Sequence, residues 1–256
     1  MGRPTRSKIN QLLSKWPQGT VAIQAELTKS HVSKQLTVKY QKGTWLKRIG
    51  RGAFIRADDN ADWMGGVYAI QQQLKLPIHP GGKTALQLQG YAHFVPLGKN
   101  YPVWLLGAPN CKLPLWFKTY SWGVAIHYSA AKLFLDGEKL GLVGHSIGSY
   151  SIEISSPERA ILEVLNFVPG DQSFAEARLL MEGLTTLRPR LVQQLLECCN
   201  SVKVKRLFLY LADSCQHPWL KKINLSKVDL GHGKRMIVKG GHWDAKYKIT
   251  VPSEPS

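Results

Sequence analysis

Residues 40–56 read YQKGTWLKRIGRGAFIR, and this stretch predicts a short β-hairpin with a strongly positive surface. Two runs that favour strands, residues 44–48 and residues 53–56, flank a glycine-rich turn at residues 50–52. The positively charged side chains of this hairpin are Lys47, Arg48, Arg51 and Arg56. So many cations on so short a hairpin favour a negatively charged partner.

The residues just before the hairpin predict a short helix with a polar, basic free face. Within residues 30–41, apolar side chains recur every four positions and form one narrow stripe. The stripe consists of Val32, Leu36 and Tyr40. The opposite side is predicted to carry Lys34, Thr37 and Gln41. A helix of this kind followed by a basic hairpin is the layout of a winged helix-turn-helix, in which the helix enters the major groove of DNA and the wing follows the backbone.

Two further short helices are predicted upstream. Residues 9–16 place apolar side chains at the i, i+3, i+4 and i+7 positions of a helix that ends before Pro17. Residues 21–27 fit a second helix with Thr20 as its N-cap. Residues 1–60 are therefore predicted to form one winged helix-turn-helix domain.

The predicted DNA-contacting residues are polar or basic and fall into four groups along this domain. They are Arg3 and Arg6 in an N-terminal arm, Lys29, Ser30 and His31 in the turn before the recognition helix, Ser33, Lys34 and Thr37 on that helix, and Lys47, Arg48 and Arg51 on the wing. For each basic residue the alternative is an ordinary solvated surface charge.

The distribution of charge agrees with this assignment. The chain has 256 residues with 34 Lys and Arg, 17 Asp and Glu, and a formal net charge of +17. Residues 1–60 hold twelve basic and three acidic residues, whereas residues 61–170 carry a net charge of +2 and residues 171–256 one of +6. Lys and Arg side chains that replace condensed counterions favour binding to nucleic acid. The charge of residues 171–256 fits scattered surface lysines equally well.

Residues 57–60 form an acidic break, and residues 61–256 are predicted to form a larger, mixed α/β domain. Helices are expected over residues 63–76, 84–90, 160–167, 173–183, 189–199 and 202–214. Short apolar runs within residues 95–154, LWFKTYS among them, predict a mixed or antiparallel sheet. Ser155 and Glu158 are spaced as a capping box, and a terminal hairpin is expected around Gly240-Gly241. The predicted fold class is α+β.

The sequence GHSIG at residues 144–148 matches the G-x-S-x-G motif of serine hydrolases, with Ser146 as the nucleophile. That motif requires a strand-to-helix turn. The residues after it, 149–154, alternate like a strand, so a turn between two strands is the favoured interpretation. A hydrolase that uses Ser146 remains the weaker alternative, and we expect no enzyme activity.

Metal, cofactor and membrane roles find little support in the sequence. Residues 81–84 read GGKT, but Pro77 stands where a P-loop requires glycine, so a turn that caps a helix is favoured.

The histidines and the four cysteines lack paired metal-ligand spacings, which predicts reduced thiols and no metal or cofactor. No signal-peptide pattern and no run of 18 apolar residues is present. A cytoplasmic location without membrane contact is expected.

Four segments together resemble the AbiEi family of antitoxins from bacterial type IV toxin–antitoxin systems. They are LKRIGRGAF at residues 46–54, GGKTALQLQGYAH at residues 81–93, SSPERAILEVL at residues 155–165 and LGHGKRMIVKGGHWDAKYKITVP at residues 230–252. The resemblance implies a winged helix that binds operator DNA and represses the protein's own operon. It also implies that the C-terminal region counteracts a nucleotidyltransferase-like toxin. The expected partners are thus double-stranded DNA of the protein's own promoter and the cognate toxin.

Two alternatives remain open beside this autorepressor and antitoxin. One is a winged-helix regulator with a ligand-sensing C-terminal domain, and the other is the hydrolase. A downstream reading frame for a nucleotidyltransferase would favour the antitoxin over the ligand-sensing regulator.

Overall fold

The N-terminal elements alternate between helix and strand in the computed structural model, which describes residues 8–91, 100–134 and 139–253. In chain order they are α1 Lys8–Lys15, β1 Ala22–Ile23, α2 Gln24–Lys29, α3 Lys34–Lys42, β2 Leu46–Gly50 and β3 Ala53–Arg56. The strands form an antiparallel sheet in the order β1-β3-β2. Three helices packed on a sheet that ends in a hairpin form a winged helix-turn-helix, as predicted.

The expected helix over residues 21–27 is wrong in its first half. Ala22 pairs with Phe54 and Ile23 pairs with Ala53, so these residues extend the wing sheet, and α2 begins after them. Thr20 is not an N-cap, because its hydroxyl donates to the carbonyl of Pro17 at 2.7 Å. Cross-strand pairing overrides helix propensity here.

A small core holds the three helices on this sheet. Its buried members are Ile9, Leu12, Trp16, Ala22, Leu27, Val32, Leu46 and Phe54. Most of these are the apolar positions that the helical spacing predicted. Ile23 instead contributes to the larger core of the remaining chain.

The rest of the described chain contains short strands followed by helices. The elements are α4 Trp63–Tyr68, which continues into a π-helical turn Ala69–Gln73, β4 Ile78–Pro80, α5 Gly82–Leu88, β5 Pro102–Gly107, α6 Leu115–Thr119, β6 Ala125–Ser129, β7 Leu142–Ile147, β8 Tyr150–Ser155, α7 Pro157–Phe167, α8 Phe174–Glu182, α9 Pro189–Cys198, α10 Val202–Ser214, two 3-10 turns at Pro218–Lys222 and Leu225–Lys227, β9 Arg235–Met236, β10 His242–Asp244 and β11 Ile249–Val251. The sheets run β4-β5-β6, β7-β8 and β10-β11-β9. The predicted α+β class is confirmed.

Helix α7 lies at the centre of this region. All its residues from Glu158 to Leu165 are buried, and it packs against α5, α8, α9 and α10. A helix that is buried on every side must satisfy its polar side chains internally. The partners of Glu158 and Glu163, described below, meet that requirement.

Three local predictions in this region are wrong. The run at residues 115–121 begins with helix α6 rather than a strand. Ser155 makes no capping box, because its hydroxyl donates to Glu163 at 2.7 Å while Glu158 binds Arg188. The terminal hairpin joins β10 to β11, and β9 pairs with β11 in parallel, so the strands on either side of Gly240-Gly241 are not paired with each other.

Polar contacts join the winged helix to the rest of the chain. The side-chain amide of Gln73 accepts from the backbone N–H of Ile23 at 2.8 Å and donates to the carbonyl of Val21 at 2.7 Å, like an extra strand beside β1. The backbone N–H of Val21 donates to the carbonyl of Gly65 at 3.2 Å. Apolar residues of β1, β2 and β3 also pack into the larger core. The division at residue 60 stays a prediction.

Candidate DNA-binding surface

The recognition helix α3 begins at a capped turn. Ser33 accepts a hydrogen bond from the backbone N–H of Leu36 at 3.2 Å, which satisfies one of the free donors in the first helical turn. Ahead of it, His31 has a φ angle of 62°, which turns the chain between α2 and α3. The exposed side chains of α3 are Lys34, Gln35, Val38, Lys39 and Lys42. The helix therefore presents three lysines and one apolar side chain to solvent.

Strands β2 and β3 form the predicted wing. A two-residue turn joins them, and its second residue, Gly52, has a φ angle of 72°, which glycine adopts without steric cost. The strand register shifts between Arg48 and Gly50, and Arg48 Nε donates to the carbonyl of Gly50 at 3.0 Å across this bulge. The side chains of Lys47, Arg48 and Arg51 are exposed, so the wing carries its cations on the outside.

A groove of about 550 Å³ separates α3 from the wing. Its lining residues are Gln24, Lys34, Thr37, Val38, Gln41, Arg48, Arg51, Gly52 and Phe54. Three of them are cationic and none is acidic, so the groove attracts an anionic ligand. The structure thus brings together predicted residues from the helix and from the wing.

The remaining predicted contacts lie at the edge of this surface or outside it. Lys29, Ser30 and His31 are exposed in and beside the turn before α3. Lys29 forms an ion pair with Glu26 at 3.2 Å, which reduces its availability for phosphate. Arg3 and Arg6 lie outside the residues that the structure describes.

Thr37 is not on the free face of α3, contrary to the prediction. Its side chain is 1% exposed, and its hydroxyl donates to the carbonyl of Ser33 at 3.0 Å. It forms the floor of the groove. Thr37 can be buried although it is polar, because its hydroxyl is satisfied within the helix.

Arg56 is the fourth cation of the predicted hairpin, and it was not among the predicted DNA contacts. Its guanidinium donates to the carbonyls of Leu13 and Trp16 and lies 6.0 Å from the ring of Trp16. These carbonyls belong to the end of α1, where no helical partner remains. Arg56 therefore holds α1 on the wing sheet.

Two residues of this surface, Val38 and Gln24, were not among the predicted contacts. Val38 is 49% exposed on α3, and Gln24 lies at the start of α2, across the groove. Val38 is apolar but lies outside the stripe in which apolar residues recur every four positions, and that mismatch is the signal that could have identified it. An exposed apolar side chain on a recognition helix suits contact with a thymine methyl group.

Two cations in residues 171–256, Arg206 and Lys203, have their donors engaged inside the protein. Arg206 is 1% exposed and donates to the carbonyls of Leu230, Gly231, Gly233 and Lys248 at 2.6 to 3.0 Å. Lys203 likewise donates to the carbonyls of Asn166 and Val168. These cations join helices to loops, so they do not belong to a binding surface.

Ser146 does not lie on a nucleophile elbow. It is within β7, opposite Ser151 of β8, and the turn that follows joins two antiparallel strands. The strand–turn–strand interpretation is therefore confirmed. The geometry that the hydrolase alternative requires is missing from this hairpin.

The GGKT turn binds a carboxylate of the protein itself. Gly81 precedes α5, and the backbone N–H of Gly82 donates to Glu163 at 2.9 Å. Glu163 also contacts His79 at 3.3 Å and Arg159 at 2.8 Å. Burial alone would raise the pKa of Glu163, but the hydrogen bond from His79 and the charge of Arg159 outweigh it and lower the pKa to about 2. An internal carboxylate thus occupies this turn.

Metal and membrane signals are absent from the described part of the chain. Residues 8–91, 100–134 and 139–253 contain no group of three or more His, Cys, Asp or Glu side chains placed to hold a metal ion. Within the same ranges, every helix is too short or too polar to cross a membrane. All four cysteines are free thiols.

Fold and surface together are those of a winged-helix protein with a cationic groove between its third helix and its wing. Two family models match nearly the whole chain: "Transcriptional regulator, AbiEi antitoxin N-terminal domain" over residues 5–97 and "Transcriptional regulator, AbiEi antitoxin, Type IV TA system" over residues 100–252. The chain therefore belongs to the AbiEi antitoxin family of transcriptional regulators from type IV toxin–antitoxin systems.

A solved structure extends the comparison of folds. The RV2827C protein from Mycobacterium tuberculosis matches with a TM-score of 0.59 and 13% identity, over 94% of this chain and 88% of that chain. At this identity the likeness concerns the fold alone. A search of curated proteins found no match.

Proposed function

We propose that the protein is a DNA-binding antitoxin that represses its own operon and counteracts a cognate nucleotidyltransferase-like toxin. The observation that carries the DNA-binding half is the groove between α3 and the wing, which Lys34, Arg48 and Arg51 line without an acidic residue. An α-helix fits the major groove, and wing cations reach the flanking phosphates. Family membership supports the antitoxin half.

Repression of the protein's own operon follows from this surface if the operator lies in its promoter. We expect the full chain to bind a duplex of that promoter in preference to a shuffled duplex of equal length. A Lys34→Ala/Arg48→Ala/Arg51→Ala variant should lose this binding. A Lys221→Ala/Lys222→Ala/Lys227→Ala variant should retain it, because these three lysines are exposed and do not line the groove. Equal binding to both duplexes would contradict an operator-specific repressor.

Antitoxicity is assigned to the larger C-terminal region. Residues of β1, β2 and β3 pack into the core of that region, so separated fragments expose apolar surface and are a poor test. Point variants of the full chain keep this core intact and are therefore the better test. The triple variant without DNA binding should still relieve growth arrest when it is co-expressed with the product of the adjacent reading frame. Loss of rescue in that variant, with its fold intact, would refute the assignment.

The hydrolase alternative has its own test. Ser146→Ala should leave promoter binding and rescue from growth arrest unchanged, because the side chain is exposed on a two-stranded hairpin. Esterase turnover by the wild-type chain that disappears in Ser146→Ala would overturn the non-enzymatic assignment.

A further inference from the structure

A cavity of about 380 Å³ lies beside α7, in a part of the chain remote in sequence from α3 and the wing. It is enclosed by the π-helical turn, β4, the end of β5, residues 129–134 and α7. Its volume falls in the lower part of the range for small-molecule sites, which are usually mainly apolar with a few convergent polar groups. Its lining can be divided into floor, walls and mouth.

The floor is polar and rigidly held. Glu163 receives hydrogen bonds from Gly82, Ser155 and Arg159, and it contacts His79, so its lone pairs are occupied. Arg159 donates in addition to the carbonyl of Leu140. A floor whose carboxylate is fully engaged does not attract a cation, because the neighbouring guanidinium already balances its charge.

The walls are apolar. Leu106, Leu133, Phe134 and Phe167 line the space above the floor. The ring of Phe134 lies 4.7 Å from the guanidinium of Arg159, which fixes one wall against the floor. A flat hydrocarbon or aromatic body therefore finds contact area between these side chains.

The mouth is positively charged. Lys75, Lys132 and Lys139 are exposed lining residues, and none of them forms an ion pair with another residue that the structure describes. Glu153 is the one carboxylate at the mouth among the described lining residues. Asp136 and Glu138 lie outside the described residues. The lining thus combines an apolar interior with three available ammonium groups at the entrance.

We infer that this cavity binds a small organic anion, whose apolar body lies between Phe134 and Phe167 and whose charged group meets the lysines of the mouth. The inference stands independently of the proposed antitoxin function. It names a chemical class, an aryl or alkyl body with one sulfonate, carboxylate or phosphate.

The position of the cavity connects it to the winged helix. Gln72 and Lys75 line the cavity, while the adjacent Gln73 holds β1 through the backbone groups of Val21 and Ile23. Gln71 anchors the same π-helical turn to Ile78 and Glu153. A ligand that shifts this turn would also shift β1 in the wing sheet, so we expect binding at the cavity and binding of DNA to be coupled.

The test uses the fluorescent aryl sulfonate 1-anilinonaphthalene-8-sulfonate with the full chain. We expect one saturable site, and an affinity about tenfold lower in a Lys75→Gln/Lys132→Gln/Lys139→Gln variant, because three charge contacts are lost. The matched control is Lys221→Gln/Lys222→Gln/Lys227→Gln, which removes the same charge from elsewhere and should leave the affinity unchanged. Ala131→Trp, at an exposed lining position, should block the site without disturbing the core.

Several results would overturn the inference. These are the absence of a saturable site, equal losses in the two triple-lysine variants, undiminished binding in Ala131→Trp, or equal affinity for the uncharged analogue N-phenyl-1-naphthylamine. The coupling has a separate readout. The sulfonate should change the dissociation constant for promoter DNA, and DNA should change that of the sulfonate by the same factor. Identical constants with and without the second ligand would refute the coupling.

Discussion

Gly50 of the wing lies directly against Trp116 of α6. A β-carbon at residue 50 would be 2.6 Å from Cβ of Trp116, closer than such atoms approach in proteins. Trp116 in turn packs edge-on against Phe117, with ring centroids 5.7 Å apart. The base of the wing is therefore positioned by an aromatic cluster outside the winged helix, and only glycine permits that approach.

Gly50→Ala is expected to weaken DNA binding by displacing the wing. The new methyl group forces β2 or α6 to move, and overpacking of this kind costs about 1–3 kcal/mol of unfolding free energy. The dissociation constant for the promoter duplex should rise roughly tenfold because the phosphate contacts of the wing lose their alignment. Fluorescence anisotropy and urea denaturation measure the two effects.

The control for this substitution is Gly144→Ala. Gly144 lies in β7, has open space where its β-carbon would be and is not in a left-handed conformation. We expect neither DNA affinity nor stability to change appreciably. A Gly50→Ala protein that binds DNA like wild type would show that α6 does not position the wing.

The two parts of the DNA surface should respond differently to substitution. Arg51→Ala at the wing turn should weaken binding to all sequences alike and reduce the slope of log K against log salt by about 0.9, since one phosphate contact is lost. Lys34→Ala at the start of α3 should change the preference among sites, because contacts to base edges carry specificity. Anisotropy titrations at several salt concentrations, on operator and mismatched duplexes, distinguish these outcomes. The reverse pattern would mean that the wing, rather than α3, reads the bases.

The general plan of the winged helix was visible in the sequence because its signals are local. The apolar stripe of α3 and the glycines of the wing each lie within a dozen residues. Strand β1 was missed because a two-residue strand depends on Ala53 and Phe54, some thirty positions away. The structural role of Arg56 was not predicted for the same reason, since its partners Leu13 and Trp16 are some forty residues earlier in the chain.

The cavity and its buried carboxylate were beyond reach of sequence reasoning. Glu163 lies on an apolar helix, and two of its partners, His79 and Gly82, come from a segment some eighty residues earlier. Nothing in the spacing of these residues links them. His79 and Gly82 become partners of Glu163 only when α5 packs against α7 in the folded protein.

Glu163→Gln is expected to destabilise the fold by about 3 kcal/mol at neutral pH, because it removes the negative charge that faces the buried side chains of Arg159 and His79. The pKa of Glu163 is lowered to about 2 in the folded state, below the value of about 4.3 for an unfolded glutamate. The contribution of this carboxylate to the free energy of unfolding is therefore fully present above about pH 4.3 and declines as the pH falls toward 2. Urea denaturation of both proteins between pH 3 and pH 7 should show the difference shrinking at the acidic end.

Glu153→Gln is the matched control, because Glu153 is an exposed carboxylate at the mouth of the same cavity. The Glu153→Gln protein should have the same free energy of unfolding as the wild type at every pH. If the difference in free energy of unfolding between wild type and Glu163→Gln stayed constant down to pH 3, Glu163 would not be ionised in the folded state as proposed.

Val38 and Thr37 are adjacent on α3, yet they should differ in their influence on DNA sequence preference. Val38 is 49% exposed beside the groove, so Val38→Ala removes apolar surface that a thymine methyl group can contact, a loss of about 1 kcal/mol at one position of the site. Thr37 is buried and its hydroxyl is bonded within the helix, so Thr37→Val should change stability without altering preference. Binding to duplexes in which each thymine is replaced by uracil, which lacks the methyl group, provides the measurement. Wild type should lose affinity at one or two positions, Val38→Ala should be insensitive there, and Thr37→Val should behave like wild type. If Thr37→Val lost the thymine preference while Val38→Ala kept it, the face of α3 that reads the bases would be the one that carries Thr37, contrary to this prediction.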